Sequence, residues 1–275
     1  MIRIPSVDLE FNLLGDYLVD LENLLIVAEH KHLTERRELE AEIDQYRKEM
    51  EKAEQRIENM TDEEREYANN KAFEARENEF LFGYSDHHSD YDYYDSPDFN
   101  LEITMAELDQ VDYVQFDFKY VLRSSFFVHI YFVIEVRLNK LCAYVQEMTG
   151  IPFSVKHLRH SGIRAAKDYL IKATRIQVGD LGGWQELTYY NKIRNVLVHQ
   201  NRVLNPSRDD QKLKIDYVQR SDVPLGVDGQ NRITFDRGFC ERVLDNAREF
   251  FTALEAEVRG KSEKFKELKR QFENI

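Results

Sequence analysis

The run Ile193-Arg194-Asn195-Val196-Leu197-Val198-His199 gathers a guanidinium, an amide and an imidazole within seven consecutive residues. On a helix, Asn195 and His199 are four apart and share a face, while Arg194 lies about 140° from His199 around the axis. Arginine is long enough to bring its guanidinium back beside the imidazole. Ile193 and Leu197, also four apart, are placed to anchor the opposite side in a core. These residue types suit cleavage of an RNA phosphodiester. An imidazole takes the proton of the ribose 2′-hydroxyl or gives one to the leaving oxygen. A guanidinium stabilises the charge that builds on the equatorial phosphate oxygens, and an amide orients imidazole or phosphate. Such a reaction needs no metal, and no carboxylate cluster near the run suggests one.

Other candidate groups carry less. His157 and His160 are flanked by Lys156, Arg159 and Arg164, which repel a cation, so contact with RNA phosphate or a plain surface position is expected there. His30 and His32 are read as solvent-facing. In GYSDHHSDYDYYDSPDF, residues 83–99, the side chains of His87, His88, Asp90 and Asp92 have the chemistry of metal ligands. A biased acidic stretch between helical segments nevertheless reads as a solvated loop. The glycines from Gly179 to Gly183 lack the Lys-Ser or Lys-Thr ending of a phosphate-binding loop and are turn residues. Trp184 is read as core rather than as a platform for a base.

The net charge of -13 argues against a polyanionic partner until it is divided along the chain. Residues 1–120 carry 12 Lys and Arg against 32 Asp and Glu, whereas residues 121–205 carry 12 against 5. The run around Arg194 thus lies in a segment of +7 and the first half of the chain stands at -20. Two jobs along one chain are implied. One possibility is that the acidic half shields the basic segment until a trigger arrives, in which case removing residues 1–100 would raise activity.

The elements that must position these groups are helical. Residues 7–82 have no proline, and no glycine after Gly15; Leu14, Leu18, Leu21, Leu25 and Ala28 recur at three and four. A long helical hairpin or coiled coil is predicted, with a break near residues 59–61, where Thr61-Asp-Glu-Glu has the form of an N-cap with an acidic first turn. A second helix is expected over 104–149, interrupted near Tyr120. Its part FFVHIYFVIEVRLNKLCAYV is apolar nearly all round and must be central, so the polar His129, Glu135, Arg137 and Asn139 within it require partners or a cavity. Gly150 and Pro152 end it. A short helix over 155–173, a turn at 179–183 and a helix from Trp184 to about Arg202 follow. LKIDYVQ and NRITF, on either side of VPLGVDGQ, alternate like the strands of a small hairpin. Residues 236–272 return to helical spacing, with Phe239, Val243, Phe250, Phe251 and Leu254 as apolar members.

RNVLVH, together with the apolar helix before it and FCERVLDNAREFFTAL after it, resembles the HEPN superfamily (higher eukaryotes and prokaryotes nucleotide-binding) over about residues 124–254. The resemblance implies an all-α, HEPN-like bundle at 101–275, joined to an acidic helical region at 1–100 and carrying a small β-hairpin. It implies a metal-independent endoribonuclease without cofactors, acting as a toxin or antiphage defence effector, paired as a homodimer about a two-fold axis and controlled by an antitoxin or other defence-system protein. Carried over, Arg194 and His199 are catalytic, Asn195 supports them and Glu135 orients a member of the site. Lys192, Arg202, Lys156 and Arg159 are the expected RNA contacts. The branch partnered by nucleotidyltransferase antitoxins has tyrosine two residues after the histidine, and this chain has Asn201, which speaks against control by adenylylation there. Some relatives have lost activity, so the alternative is a catalytically inactive helical binding or assembly module.

A cytoplasmic location and no membrane partner are expected. Cys142 and Cys240 form no disulfide framework, the opening MIRIPSVDLEFNLLGDYL lacks a basic region followed by an apolar run, and the apolar stretch 126–134 is too short to span a bilayer.

Overall fold

A computed structural model describes residues 7–67, 69–71, 97–207 and 212–273. These are all-α apart from one two-stranded antiparallel sheet, as expected from the helical spacing. Helix α1 spans Val7–Glu58 and α2 spans Pro97–Thr149. The predicted break follows α1: Thr61 N–H donates to Glu64 Oε2 (2.9 Å) and Glu64 N–H donates to Thr61 Oγ1 (3.3 Å), a reciprocal cap. Helix α2 runs through Tyr120 without the expected interruption, because no glycine or proline falls between residues 98 and 149. Pro97 occupies its first position, where a missing N–H costs nothing, so the loop predicted to reach residue 99 has ended by then. His87, His88, Asp90 and Asp92 lie outside the described residues.

Beyond α2, which Gly150 ends at φ +68, a single turn at Val155–His157 precedes α3, Gly162–Thr174. One helix had been expected over this stretch. A second single turn, Val178–Asp180, leads to α4, Trp184–Gln200. The strand expected in LKIDYVQ is instead helix α5, Lys212–Val218. The hairpin pairs β1, Leu225–Val227, with β2, Ile233–Phe235, in the register Leu225 to Phe235 and Val227 to Ile233. Thus NRITF holds a strand, but its partner comes from the intervening VPLGVDGQ. The chain continues through α6, Phe239–Gly260, and α7, Ser262–Glu273.

The described residues group into two compact units: the chain up to Leu25 with everything from Phe118 onward, and Ile26–Asp117. The division expected at residue 100 followed charge, whereas packing follows apolar faces. Phe11, Leu14 and Leu18 of α1 belong to the same buried cluster as Phe127, Ile134, Tyr190, Ile193, Phe235 and Phe250. Phe127 is central there, with ring centroids 5.3 Å from Phe239, 5.7 Å from Phe235 and 6.2 Å from Tyr190. Deleting residues 1–100 would therefore strip part of this core rather than lift off a separate shield. In the second unit, His32 Nε2 lies 3.3 Å from Asp112, which Arg36 also pairs at 3.1 Å. His32 is accordingly tucked in, contrary to expectation, while His30 is exposed.

Among the described residues, no helix is long and apolar enough to cross a membrane. Cys142 and Cys240 are buried thiols on α2 and α6.

Candidate active site

Helix α4 carries the motif, and its placement begins with one residue. Gly183, at φ +78, starts the helix where a Cβ would meet the Asn246 carbonyl oxygen at 2.7 Å and Phe250 Cβ at 3.0 Å. Only glycine lets α4 lie that close to α6. The helix then buries Trp184, Leu187, Tyr190, Ile193 and Val196, and Leu197 packs partly against the same core. Burial of Trp184, Ile193 and Leu197 follows the expectation. The opposite side is left to Asn191, Lys192, Arg194, Asn195 and His199.

A polar cleft of about 840 Å³ opens along that side. Helix α2 contributes Glu135 and Asn139, the segment entering α3 contributes Arg159, His160 and Ser161, and α3 itself adds Gly162 and Arg164. Helix α4 adds Asn191, Lys192, Arg194 and Asn195, and α5 adds Lys214. Five cationic side chains thus face one carboxylate. A concave surface lined mainly by one charge sign concentrates its field on whatever enters, and here that field is set by the five cations.

The walls are tied together by specific bonds. Buried Tyr131 donates its hydroxyl to Asn191 Oδ1 (3.0 Å), linking α2 to α4. Burial holds that hydroxyl protonated far above the ordinary tyrosine range, with a smaller push from Glu135. Arg194 Nη1 donates to Asn195 Oδ1 (3.1 Å), so the amide orients the guanidinium rather than the imidazole. Lys192 Nζ sits 4.7 Å from the centre of the Tyr189 ring. Gly162, at φ +64, brings the backbone entering α3 so close to α2 that a Cβ would lie 2.7 Å from Glu135 Oε1.

Glu135 is half-buried, and burial pushes its carboxyl above the ordinary glutamate value of 4.5, with Arg194 pulling the other way. The folded protein therefore holds this proton more tightly than the unfolded chain does. The resulting stabilisation is complete below the ordinary value and is lost as pH rises through the raised one. Glu135→Gln, which stays neutral, is expected to melt higher than the parent at pH 7 and at the same temperature near pH 4; equal melting at both would contradict the shift.

Of the eight expected site residues, five line the cleft: Arg194, Asn195, Glu135, Lys192 and Arg159. The other three do not. His199 is exposed on the last turn of α4, one turn beyond Asn195 on the same face. Arg202 follows the end of the helix in a left-handed conformation, φ +67. Lys156 is exposed on the single turn before α3. Sequence reasoning missed Asn191 and Lys214. Asn191 stands four residues before Asn195 and was open to the same face argument. Lys214 could not be placed while its segment was read as a strand. No group of three or more His, Cys, Asp or Glu suited to holding a metal ion occurs among the described residues.

Comparison of the chain with protein-family models, with curated proteins and with solved structures returns no match.

Proposed function

We propose that this protein is a metal-independent endoribonuclease of the HEPN type, serving as a toxin or antiphage effector under the control of a partner protein. The observation that carries the reading is the cleft in which Arg194, held by Asn195, stands among four further cations and the half-buried Glu135. Lys192, Lys214, Arg159 and Arg164 supply the attraction for consecutive phosphates. Arg194 supplies the oriented donors for the charge that develops on the phosphate being cleaved. His199 meets the strand where it leaves the cleft along the Asn195 face and gives a proton to the leaving 5′-oxygen. Proton transfer and charge stabilisation then come from side chains, without a cofactor. The test is incubation of the purified protein with RNA in excess chelator: the parent cuts and His199→Ala does not, and a variant that cuts as fast as the parent would remove His199 from the reaction.

Pairing of two copies belongs to the same reading. Phe118, Val121 and Phe132, on one stripe of α2 with Ser125 and His129, are 40 %, 47 % and 59 % exposed. Phe132 precedes Glu135 by one turn, so a second copy seated on this stripe brings two clefts near one another. Phe132→Glu is expected to sediment as a monomer where the parent sediments as a dimer, and an unchanged mass would rule this face out.

The second reading, a helical binding module without activity, is favoured by one observation: His199 does not line the cleft. It predicts RNA binding with no cleavage under any condition.

A further inference from the structure

Of the four histidines of the basic segment, His129 is exposed on α2, on the stripe with Phe132, and does not line the cleft; the surroundings of the other three separate them. The His157 ring closes the single turn before α3: its Nδ1 accepts the Ser154 N–H at 3.0 Å and lies 3.1 Å from Ser154 Oγ. That ring is committed to the backbone. His199 stands beyond the cleft on the last turn of α4. His160 alone of the three lines the cleft, on the segment that enters α3. Two residues on, the Gly162 backbone passes so close to Glu135 that a Cβ there would lie 2.7 Å from its carboxylate oxygen. The ring is exposed and so meets solvent and cleft together.

A phosphodiester cleavage driven by the 2′-hydroxyl needs a group to take that proton, and the cleft offers few. Arg159, Arg164, Lys192, Arg194 and Lys214 are donors only. Glu135 is half-buried beneath the Gly162 backbone, its carboxyl pushed above the ordinary glutamate value by burial and pulled back by Arg194, whereas the His160 ring is exposed to the cleft. An imidazole is the side chain suited to exchanging a proton near neutral pH.

We propose that His160 is the catalytic base of this cleft; the inference rests on the ribonuclease reading and adds to it a residue outside the Arg194 to His199 motif. A ring nitrogen of His160 takes the 2′-hydroxyl proton. The 2′-oxygen bonds to phosphorus, the bond from phosphorus to the 5′-oxygen breaks with its electron pair, and that oxygen takes a proton from the His199 imidazolium. The products are a 2′,3′-cyclic phosphate and a 5′-hydroxyl. His160 then releases its proton to water and His199 regains one, so the two rings return to their starting states with no other reactant consumed.

The test compares the full-length parent with His160→Ala and His160→Gln. A base and an acid of this kind give a bell-shaped dependence of kcat/KM on pH, and removing the base abolishes the ascending limb. Both variants are expected to lower kcat by roughly 100-fold or more with KM within about threefold. Added imidazole is expected to restore part of the rate to His160→Ala, in whose vacated site it can act, and less to His160→Gln. A separate measurement uses an RNA oligonucleotide carrying 2′-fluoro groups, which has no proton to give up and cannot be cut. Nuclear magnetic resonance of the histidine rings should find His160 shifted by this oligonucleotide and His157 unmoved. The proposal is overturned if the parent cuts RNA and His160→Ala cuts it as fast with the ascending limb intact, or if the bound oligonucleotide leaves the His160 ring unmoved. In those cases the ribonuclease reading survives. A parent that cuts no RNA overturns both.

Discussion

Replacing Arg194 by alanine is expected to slow RNA cleavage by about 10²–10³-fold, the effect of deleting one oriented donor from the site of developing charge. The fall should lie in kcat, because the cleft keeps Lys192, Lys214, Arg159 and Arg164 to hold the strand. Stability should change little. The guanidinium bonds the neighbouring Asn195 side chain rather than a buried partner across the core, and Ile193 and Val196, which anchor α4, are untouched. Arg194→Lys restores the charge but not the planar fork, so it should recover only part of the lost rate. A loss seen in KM alone would assign Arg194 to binding and remove it from the chemistry.

The largest expected effect on stability is at Arg137, a buried cation in the most apolar stretch of the chain. Its Nη1 donates to Glu10 Oε2 at 2.7 Å and its Nη2 to Glu255 Oε1 at 2.6 Å. Its guanidinium lies 5.3 Å from the centre of the Phe251 ring and 6.0 Å from that of Phe11. The side chain is only 1 % exposed and Glu255 9 %, so Arg137→Met would leave the carboxylates against apolar surface without their main counter-charge. Breaking a buried pair in this way costs about 3–5 kcal/mol. In a unit of this size that lowers the melting temperature by roughly 10 °C. Lys140, 3.2 Å from Glu10, and Arg259, 3.4 Å from Glu255, soften the loss from the rim. Urea unfolding of Arg137→Met, and of the triple variant Arg137→Met, Glu10→Gln, Glu255→Gln, separates the causes. The triple should recover much of the loss, because no carboxylate then remains uncompensated. Failure to recover would mean that packing of the arginine stem matters more than its charge.

That ion-pair network also accounts for a boundary that charge counting misplaces. A net charge of -20 over residues 1–120 conceals Glu10 and Glu22, which are partners of Arg137 and of Arg123 at 2.7 Å. Their sign marks the start of α1 as complementary to the bundle, not separate from it. The apolar spacing of Leu14, Leu18, Leu21 and Leu25 correctly gives a helix with one buried stripe, but periodicity does not say against what a stripe packs. Tyr120 was a poor place for a break because β-branched and aromatic residues lower helix propensity only slightly, whereas glycine and proline end helices. LKIDYV was ambiguous from the start: a short alternating run fits a strand or two turns of helix. Tertiary contact decides it, since Tyr217 stacks on Tyr189 of α4 with centroids 4.3 Å apart and donates its hydroxyl to Glu186.

The cleft divides in the same way. Arg194, Asn195 and Lys192 were legible because one helix carries them at fixed angles, and Glu135 because a carboxyl in an apolar helix must meet a cavity or a partner. Arg159, expected as an RNA contact, shares the cleft with His160 and Lys214, and all three come from other segments. Their arrival in the same cleft depends on Gly162 and on the helical state of α5, which no spacing rule supplies.

The most direct measurement is the mass of the RNA ends left by the parent protein in excess chelator. Attack by the ribose 2′-hydroxyl in the Arg194 cleft leaves 2′,3′-cyclic phosphate and 5′-hydroxyl ends that disappear with Arg194→Ala. Intact RNA, 5′-phosphate ends, or cyclic ends that persist undiminished in that variant would contradict it.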